Sequence, residues 1–238
     1  MSPLDACPDD GDDDCPLHIA DEQPDAEDEI DPGDFDLEVV HDLRAVIRPA
    51  NDRGRTIRIR PWTSVLGLCD HQTGCLIGPE HPGLAHIPAH VLIFRDGTIA
   101  LLHWFTDYVQ HGHRLNAGTV GNEVVCRASG IAGNPRSFWR SPKEKQRGQG
   151  YDELVHEATD AQLVALANVH RYECEVVSAC GGRIRGIWAH RQGHASRTTD
   201  PGSRIWAVAQ DSTIELGLAD VQDYHLGSGK PIPGAWGR

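Results

Sequence analysis

Two histidines and two carboxylates in this sequence stand where they could form a metal-dependent hydrolytic site. His71 and His190 each follow a short apolar run, and Asp200 lies in an Asp-Pro-Gly turn ten residues after His190. Two His and one carboxylate, with a fourth position open to water, form the ligand set of a hydrolytic zinc site. Glu123 would then be the spare carboxylate that takes a proton from that water. Taken alone, residues 189–202 are more simply interpreted as an ordinary surface loop, and Glu123 is equally compatible with a structural role in its strand.

The apolar runs that precede these residues predict strands. Residues 64–69 and 184–188 predict buried strands, so that both histidines stand at strand ends. Residues 119–126 alternate as a strand does, with Gly121 and Glu123 on the face opposite the valines. A strand end next to a fixed loop favours a site, because a rigid scaffold positions the side chains while the loop stays open to substrate.

Further local signals complete a predicted α/β domain. Arg95-Asp96-Gly97 between two apolar runs predicts a β-hairpin. Thr159-Asp160-Ala161-Gln162 is a capping box, and it precedes an apolar helix face that includes His170, interpreted as a core or edge residue. A final helix or helix and loop is expected over 205–218, and 130–158 reads as a basic surface excursion. Strands interspersed with helices predict a single α/β domain with a central mixed sheet flanked by helices.

The charge of the chain is concentrated at its N-terminus. Residues 1–38 hold 16 of the 35 Asp and Glu and none of the 22 Lys and Arg. The remaining residues therefore carry 22 basic and 19 acidic side chains, a formal charge of +3, against −13 for the whole chain. Such an acidic, apolar-poor segment cannot offset its ordering entropy. We predict a disordered acidic tail over 1–36, the α/β domain over 37–220 and an irregular C-terminal tail over 221–238.

Cysteine usage and the absence of targeting signals indicate a protein made inside the cell. The seven cysteines form no CxxC zinc pattern, and their odd number argues against a complete disulfide framework. Free thiols are expected, although Cys69 with Cys75, or Cys174 with Cys180, could bridge in an oxidising compartment. The N-terminus has no signal-peptide pattern, and no apolar run approaches membrane-spanning length. We expect synthesis in the cytoplasm and no stable membrane insertion.

Several of these sequence motifs resemble those of the zinc-dependent N-acetylmuramoyl-L-alanine amidase family, and they occur in the same order over about residues 60–210. The family includes phage T7-type lysozyme, bacterial cell-wall recycling amidases and peptidoglycan recognition proteins. The matching pieces are a strand ending in His71-Gln72-Thr73, the hairpin H-V-L-I-F-R-D-G-T-I, a His/Asn loop followed by T-V-G-N-E, a helix beginning T-x-x-Q, and a strand leading to His190 and Asp200-Pro-Gly. The resemblance implies the same α/β fold and a zinc cofactor.

The resemblance also implies roles for individual residues. His71, His190 and Asp200 look like the zinc ligands, and Glu123 looks like the catalytic acid/base. Thr198 occupies the position of an oxyanion-stabilising Lys found in many bacterial members, which makes it a second candidate catalytic residue. Its neighbour Arg197, together with two residues of the His/Asn loop, would contact substrate. Those two residues are His111 and Asn116.

Three further departures from the family pattern bear on turnover. Ala89 stands where many members have a Tyr that assists the chemistry, and Asn122 replaces an apolar residue. A Pro/Gly-rich loop after Thr73 replaces the helix usually found between the first two strands.

The implied reaction is hydrolysis of the amide between N-acetylmuramic acid and L-alanine in peptidoglycan, with peptidoglycan or a muropeptide as partner and no nucleic acid. The expected role is that of an endolysin-type lytic enzyme acting on the cell wall after release. A secreted antibacterial effector and a cytosolic recycling enzyme remain open. The main alternative is a catalytically weak or inactive peptidoglycan-binding module, and a zinc amidohydrolase for a small amide is a third.

Overall fold

A six-stranded mixed β-sheet forms the centre of the protein. The computed structural model describes residues 30–44, 58–138, 146–147 and 150–237. The strand order is β1-β4-β3-β5-β2-β6. The strands are β1 (Val39–Asp42), β2 (Gly67–Gln72), β3 (Val91–Ile93), β4 (Ile99–Leu101), β5 (Thr119–Val124) and β6 (Gly186–Ala189).

Strand pairing places three parallel strands side by side where the predicted site residues lie. β2 pairs in parallel with β5 on one side and with β6 on the other, and only β3 with β4 is antiparallel. The β3–β4 hairpin is the one predicted from Asp96-Gly97, and Gly97 adopts φ +93°, a conformation that favours glycine. Parallel neighbours end at the same edge of a sheet, so His71 and the residue that follows β6 are brought together.

Two long helices cover one face of the sheet. The α-helices of the described residues are α1 (Tyr151–Leu154), α2 (Asp160–Ala179) and α3 (Ser203–Glu215). The predicted capping box begins α2, since Thr159 Oγ1 accepts from Gln162 N and Gln162 Oε1 accepts from Thr159 N. Apolar side chains of α2 and α3 pack on alternate strand residues such as Leu68, Val120 and Ile187 to form the main core. These features confirm the α/β fold with a mixed sheet.

The helix-facing side of the sheet also holds a buried polar network. Asn122 Nδ2 donates to Glu173 Oε2 at 3.0 Å and to Asp70 Oδ1 at 3.3 Å. His170 lies between Asp70 Oδ1 at 3.1 Å and Ser212 Oγ at 3.0 Å. Burial raises the pKa of Glu173 well above its usual range. His170 is thus a core residue. The buried polar side chain of Asn122 is accommodated because Asp70 and Glu173 accept its hydrogen bonds.

Loops and short 3-10 helices cover the opposite face. The Pro/Gly-rich segment after Thr73 contains the 3-10 helix Leu84–His86 and no α-helix, as the sequence predicts. The C-terminal residues are irregular apart from the 3-10 helix Gly234–Trp236, but Val221 and Trp236 are buried. The predicted C-terminal tail is therefore irregular in secondary structure yet packed against the body.

The predicted acidic tail lies only partly within the described residues. Residues 1–29 fall outside them, whereas Pro32–Phe35 forms a 3-10 helix. The Phe35 ring contacts the ring of Tyr172 on α2 at a centroid distance of 5.5 Å. Composition assigned residues 30–36 to the tail, but part of this segment packs on the body. The reason is the contact of the Phe35 ring with Tyr172 on α2.

The sequence also led us to expect free thiols and no stable membrane insertion. Within the described parts of the chain, Cys69 is not bridged to Cys75 and Cys174 is not bridged to Cys180, while Cys7 and Cys15 lie outside. No helix within the described ranges is long and apolar enough to cross a membrane. Part of the predicted basic excursion, residues 139–145 and 148–149, lies outside the described residues.

Candidate functional site

The three predicted metal ligands converge at one end of the parallel strands. His71 is near the end of β2, His190 follows β6 directly and Asp200 precedes α3. His71 Nδ1 lies 2.7 Å from His190 Nδ1, which lies 2.9 Å from Asp200 Oδ2. All three side chains are buried, and their ligand atoms lie within 4.8 Å of one another. The fold therefore brings together three residues that are separated by up to 129 positions.

Hydrogen bonds behind His71 determine which of its nitrogens carries the proton. The Thr119 carbonyl can only accept, so His111 Nε2, at 3.0 Å, must be the donor. Burial lowers the pKa of His111 to about 3, so its ring is neutral and Nδ1 is an acceptor. His71 Nε2 lies 3.0 Å from that Nδ1 and donates to it. Because burial also lowers the pKa of His71 well below its usual range, His71 Nδ1 is left as a bare lone pair.

This lone pair, His190 Nδ1 and Asp200 Oδ2 suit a metal ion. Burial lowers the pKa of His190 well below its usual range, so that its ring is neutral too. A neutral His190 carries at most one proton on Nδ1. It can donate this proton to His71 Nδ1 or to Asp200 Oδ2, but not fully to both. A cation bound by two neutral imidazoles and a carboxylate would satisfy all three atoms at once. The donor set thus fits a divalent metal.

A second group of potential ligands, Cys69, His71 and His111, lies deeper in the protein. It shares His71 with the first group but would use the nitrogen that donates to His111. Burial raises the pKa of the Cys69 thiol well above its usual range, and a thiol binds metal as the thiolate. This inner group is therefore less suited to a metal than the group that contains Asp200.

Asp200 is held in place by Gln72, the residue after the first ligand. The Gln72 backbone N–H donates to Asp200 Oδ1 at 2.9 Å, which leaves Oδ2 for His190. The Gln72 side chain donates to the Thr199 carbonyl at 3.1 Å and accepts from Ala128 N at 2.6 Å. In the sequence Gln72 is only the middle residue of the His71-Gln72-Thr73 motif, and its role in fixing Asp200 arises only in the folded protein.

Replacing Gln72 with Ala is expected to weaken metal binding by about 10-fold or more, since loss of an outer contact to a ligand typically costs 10–100-fold. The variant keeps the backbone N–H that donates to Asp200 but loses the side-chain hydrogen bond that holds the loop at the Thr199 carbonyl. Zinc affinity would be measured by competition with a chelator. Thr73→Ala is the matched control, because Thr73 bonds Cys75 and Cys126 carbonyls and does not reach the Asp200 loop. Equal affinity of the Gln72 variant and the wild type would refute this role.

Glu123 lies beside the ligand group without belonging to it. It is the direct register partner of His71 on the neighbouring strand, so the two side chains project from the same face. Glu123 is half-buried, and its Oε2 has no hydrogen-bond partner among the described residues. Burial, and then the charge of Asp200, raise the pKa of Glu123 well above its usual range, while Arg197 opposes them. A carboxyl group with a raised pKa and a free oxygen is suited to proton transfer.

The other predicted site residues occupy different positions. Arg197 is exposed, and its positive charge acts on Glu123, Asp200 and both histidine ligands. Thr198 is half-buried, and its carbonyl accepts from Arg191. Asn116 is buried, and its Oδ1 accepts from Gly112 N at 2.6 Å. The Asn116 side chain is thus engaged within the loop that carries His111.

His111 lies behind His71, in a space that Gly121 leaves open. A Cβ atom on Gly121 would lie 2.5 Å from His111 Cγ, so any larger residue would displace the ring. Gly121 stands two residues before Glu123 in the sequence, and a glycine in a strand signals close approach of another group. That signal indicates a close approach to the strand at Gly121 but does not identify His111 as the residue that approaches.

Replacing His111 with Phe is expected to weaken zinc binding about 10–100-fold, because the N–H of His71 loses its acceptor. Phe fills a similar volume, so the change removes the hydrogen bond more than the packing. Zinc affinity and the free energy of unfolding of the metal-free protein would be measured together. An unchanged zinc affinity would show that His111 does not orient His71.

The rim of the site carries an imidazole pair that is not predicted from the sequence. The rings of His113 and His194 stack with centroids 4.1 Å apart, and His113 lies 5.4 Å from the His190 ring. His113 adopts φ +56°, which is unusual for a residue other than glycine. Local sequence gives no signal for this pairing, because the two residues lie on separate loops.

Comparisons with known proteins gave similarities only at the level of solved structures. No protein-family model matches the chain, and no curated protein matches its sequence. The chain is similar to the endolysin N-acetylmuramoyl-L-alanine amidase LysCS from Clostridium intestinale URNW, with 14% identity over 68% of this chain and 90% of that chain and a TM-score of 0.44. Drosophila peptidoglycan recognition protein SD is 14% identical over 73% and 94% of the two chains, with a TM-score of 0.47. Bumblebee peptidoglycan recognition protein SA is 16% identical over 70% and 90%, with a TM-score of 0.45.

Proposed function

We propose that this protein is a zinc-dependent amidase that hydrolyses the bond between N-acetylmuramic acid and L-alanine in peptidoglycan. The observation that carries the proposal is the convergence of His71 Nδ1, His190 Nδ1 and Asp200 Oδ2, with the free carboxylate of Glu123 alongside. The choice of substrate comes from the sequence resemblance to the amidase family. The choice of zinc follows from the donor set, since two imidazoles and one carboxylate are a frequent ligand set of hydrolytic zinc.

The metal would be held by His71, His190 and Asp200, with Gln72 and His111 fixing the ligand orientations. Zinc bound there would act as a Lewis acid towards the scissile carbonyl. The neutral histidines and the anchored Asp200 leave the ligand atoms in place before substrate arrives, which reduces reorganisation during the reaction.

Glu123 would act as the general base and then as the general acid. Its carboxylate takes a proton from the attacking water as the oxygen bonds to the carbonyl carbon. It then gives that proton to the departing L-alanine nitrogen as the C–N bond breaks, and the carboxylate is regenerated. The raised pKa of Glu123 favours the second of these transfers.

Arg197 and Thr198 would contribute charge and hydrogen bonding at the mouth of the site. The guanidinium of Arg197 is exposed and close enough to affect the ionisation of Glu123 and Asp200, so it could stabilise negative charge that develops on substrate. The Thr198 hydroxyl, in the position of the family Lys, could donate only a neutral hydrogen bond. Ala89 is buried and offers no phenol. These differences predict slower turnover than in members with Lys and Tyr.

The proposed cellular role is that of an endolysin-type lytic enzyme that is made in the cytoplasm and acts on the cell wall after release. The alternative is a module that binds peptidoglycan and cleaves it weakly or not at all. The substitutions at Ala89 and Thr198 favour that alternative, and retention of Glu123 favours the enzyme, because binding alone does not require a free carboxylate beside the metal.

Mass spectrometry of purified peptidoglycan after incubation with the zinc-loaded protein tests the proposal. We expect release of stem peptides that begin with L-alanine, dependent on zinc and abolished by a chelator. Wall binding in a pull-down without peptide release would favour the binding module. Neither release nor binding would point to a small soluble amide as substrate.

A further inference from the structure

The short 3-10 helix His190–Gln192, which begins with a metal ligand, is enclosed by residues from the far end of the chain. We call residues 221–237 the C-terminal segment. Its Leu226 N–H donates to the Gln192 carbonyl at 2.8 Å, and its Lys230 N–H donates to the Arg191 carbonyl at 2.9 Å. Two successive backbone carbonyls of the turn that carries His190 therefore accept hydrogen bonds from the C-terminal segment.

Gln192 joins the end of β6 to the C-terminal segment from within the core. Its side chain is fully buried, accepts from Ala189 N at 2.8 Å and donates at 2.6 Å to the carbonyls of both Val221 and Tyr224. A buried side-chain amide with all of these bonds formed fixes the backbone on both sides of it. The turn that presents His190 is thus tied to residues 221–226.

Arg191 connects the same turn to the loop of the second ligand. Its backbone N–H donates to the Asp200 carbonyl at 3.1 Å, and its Nη1 donates to the Thr198 carbonyl. On the other side, Nε donates to the Pro231 carbonyl at 3.0 Å, and the guanidinium lies 5.0 Å from the ring centroid of Trp236. Among the described residues no carboxylate forms an ion pair with this buried cation, which is instead surrounded by carbonyl oxygens and one aromatic face.

We propose that the C-terminal segment is a structural part of the metal centre, and that Arg191 is the positioning residue that couples it to both His190 and Asp200. The inference rests on the proposed function, since it assumes that these residues bind a metal. Arg191 touches neither the metal position nor the substrate. Arg191 acts by holding two ligand-bearing loops in one arrangement. Removing its side-chain hydrogen bonds should therefore weaken metal binding.

Two glycines of the C-terminal segment provide a matched test of this contact. A Cβ atom on Gly229 would lie 1.9 Å from the Gln192 carbonyl oxygen, whereas a Cβ atom on Gly234 would meet no heavy atom within 4 Å. Gly229→Ala should therefore push the segment away from the ligand-bearing turn. Gly234→Ala makes the same chemical change a few residues later with nothing to displace.

The experiment compares the zinc affinity of the full-length wild type, Gly229→Ala, Gly234→Ala and Arg191→Lys by chelator competition, with thermal unfolding of each metal-free protein. Lys keeps the charge of Arg191 but cannot donate to Thr198 and Pro231 at once. We expect Gly229→Ala and Arg191→Lys to bind zinc about 10-fold or more weakly, and Gly234→Ala to stay within about twofold of the wild type. The cobalt-loaded Arg191→Lys protein should also show an altered visible absorption spectrum, which a change in stability alone would not cause.

Wild-type zinc affinity and an unaltered cobalt spectrum in both folded variants would overturn the inference while leaving the proposed metal centre intact. If Gly229→Ala does not fold, the result for Arg191→Lys decides alone. A wild-type protein that binds no zinc would overturn the proposed metal centre itself, and the inference with it.

Discussion

Replacing Glu123 with Gln is expected to lower the rate of amide hydrolysis by about 10²–10⁴-fold, the usual contribution of a general acid–base residue. Gln has nearly the same shape but cannot accept and return a proton. Zinc affinity should stay unchanged, because Glu123 lies outside the group of converging ligand atoms. Release of stem peptides, measured by mass spectrometry over time, gives the rate, and chelator competition gives the affinity.

Glu153→Gln is the matched control for this experiment, since Glu153 is exposed on α1 and should tolerate the same change with no effect on rate. Equal rates for the wild type and the Glu123 variant would eliminate Glu123 as the catalytic base. If neither protein releases peptides but both bind peptidoglycan equally, the binding-module function is the correct one. The pair of measurements thus separates catalysis from recognition.

Replacing Asp200 with Asn is expected to weaken zinc binding by at least about 100-fold, because one ligand supplies roughly a quarter of the 10–16 kcal/mol typical of a four-ligand zinc site. The Gln72 N–H needs an acceptor, so the carbonyl oxygen of Asn should take the place of Oδ1. The amide NH₂ group would then face His190 Nδ1 where Oδ2 lies in the wild type. A metal ligand becomes a hydrogen-bond donor, while the loop stays anchored.

Thermal unfolding with and without zinc distinguishes this effect from a loss of fold. A ligand that binds only the folded state raises stability, so zinc should raise the melting temperature of the wild type and leave that of Asp200→Asn nearly unchanged. The metal-free proteins should unfold at similar temperatures. If zinc stabilises both proteins equally, the metal does not bind at Asp200.

The pH dependence of zinc binding follows from the same site. Imidazoles bind metal only when neutral, and burial lowers the pKa of His71 and His190 well below the ordinary value. Above a lowered pKa the ring is already deprotonated, so these two ligands should stay available for zinc at pH values somewhat below 6.5. Burial raises the pKa of Asp200, the third proposed ligand, so protonation of its carboxylate acts in the opposite direction. We therefore expect zinc release, measured by chelator competition against pH, to begin below the pKa of free imidazole, with Asp200 contributing to the loss.

Local pattern was sufficient for much of the fold and for a set of candidate ligands. The hairpin at Asp96-Gly97 and the capping box at Thr159 depend on residues a few positions apart, and both form as predicted. The order of His71, Glu123, His190 and Asp200 along the chain matched a family pattern, and the three predicted ligands converge. These features could be predicted because each is set by local backbone chemistry or by motifs that occur in a family's order.

Tertiary structure alone decided how the site is supported. His111 lies behind His71, Gln72 holds Asp200, and the C-terminal segment encloses the turn at His190. Each of these contacts joins residues about 30–130 positions apart in sequence, and a side chain's periodicity does not reveal which distant loop it meets. The same holds for Asn122, whose polar partners Asp70 and Glu173 become neighbours only when β2, β5 and α2 pack together. Hydrogen bonds between distant segments depend on the three-dimensional course of the chain, so residue type and motif order predicted the candidate ligands but not what orients them.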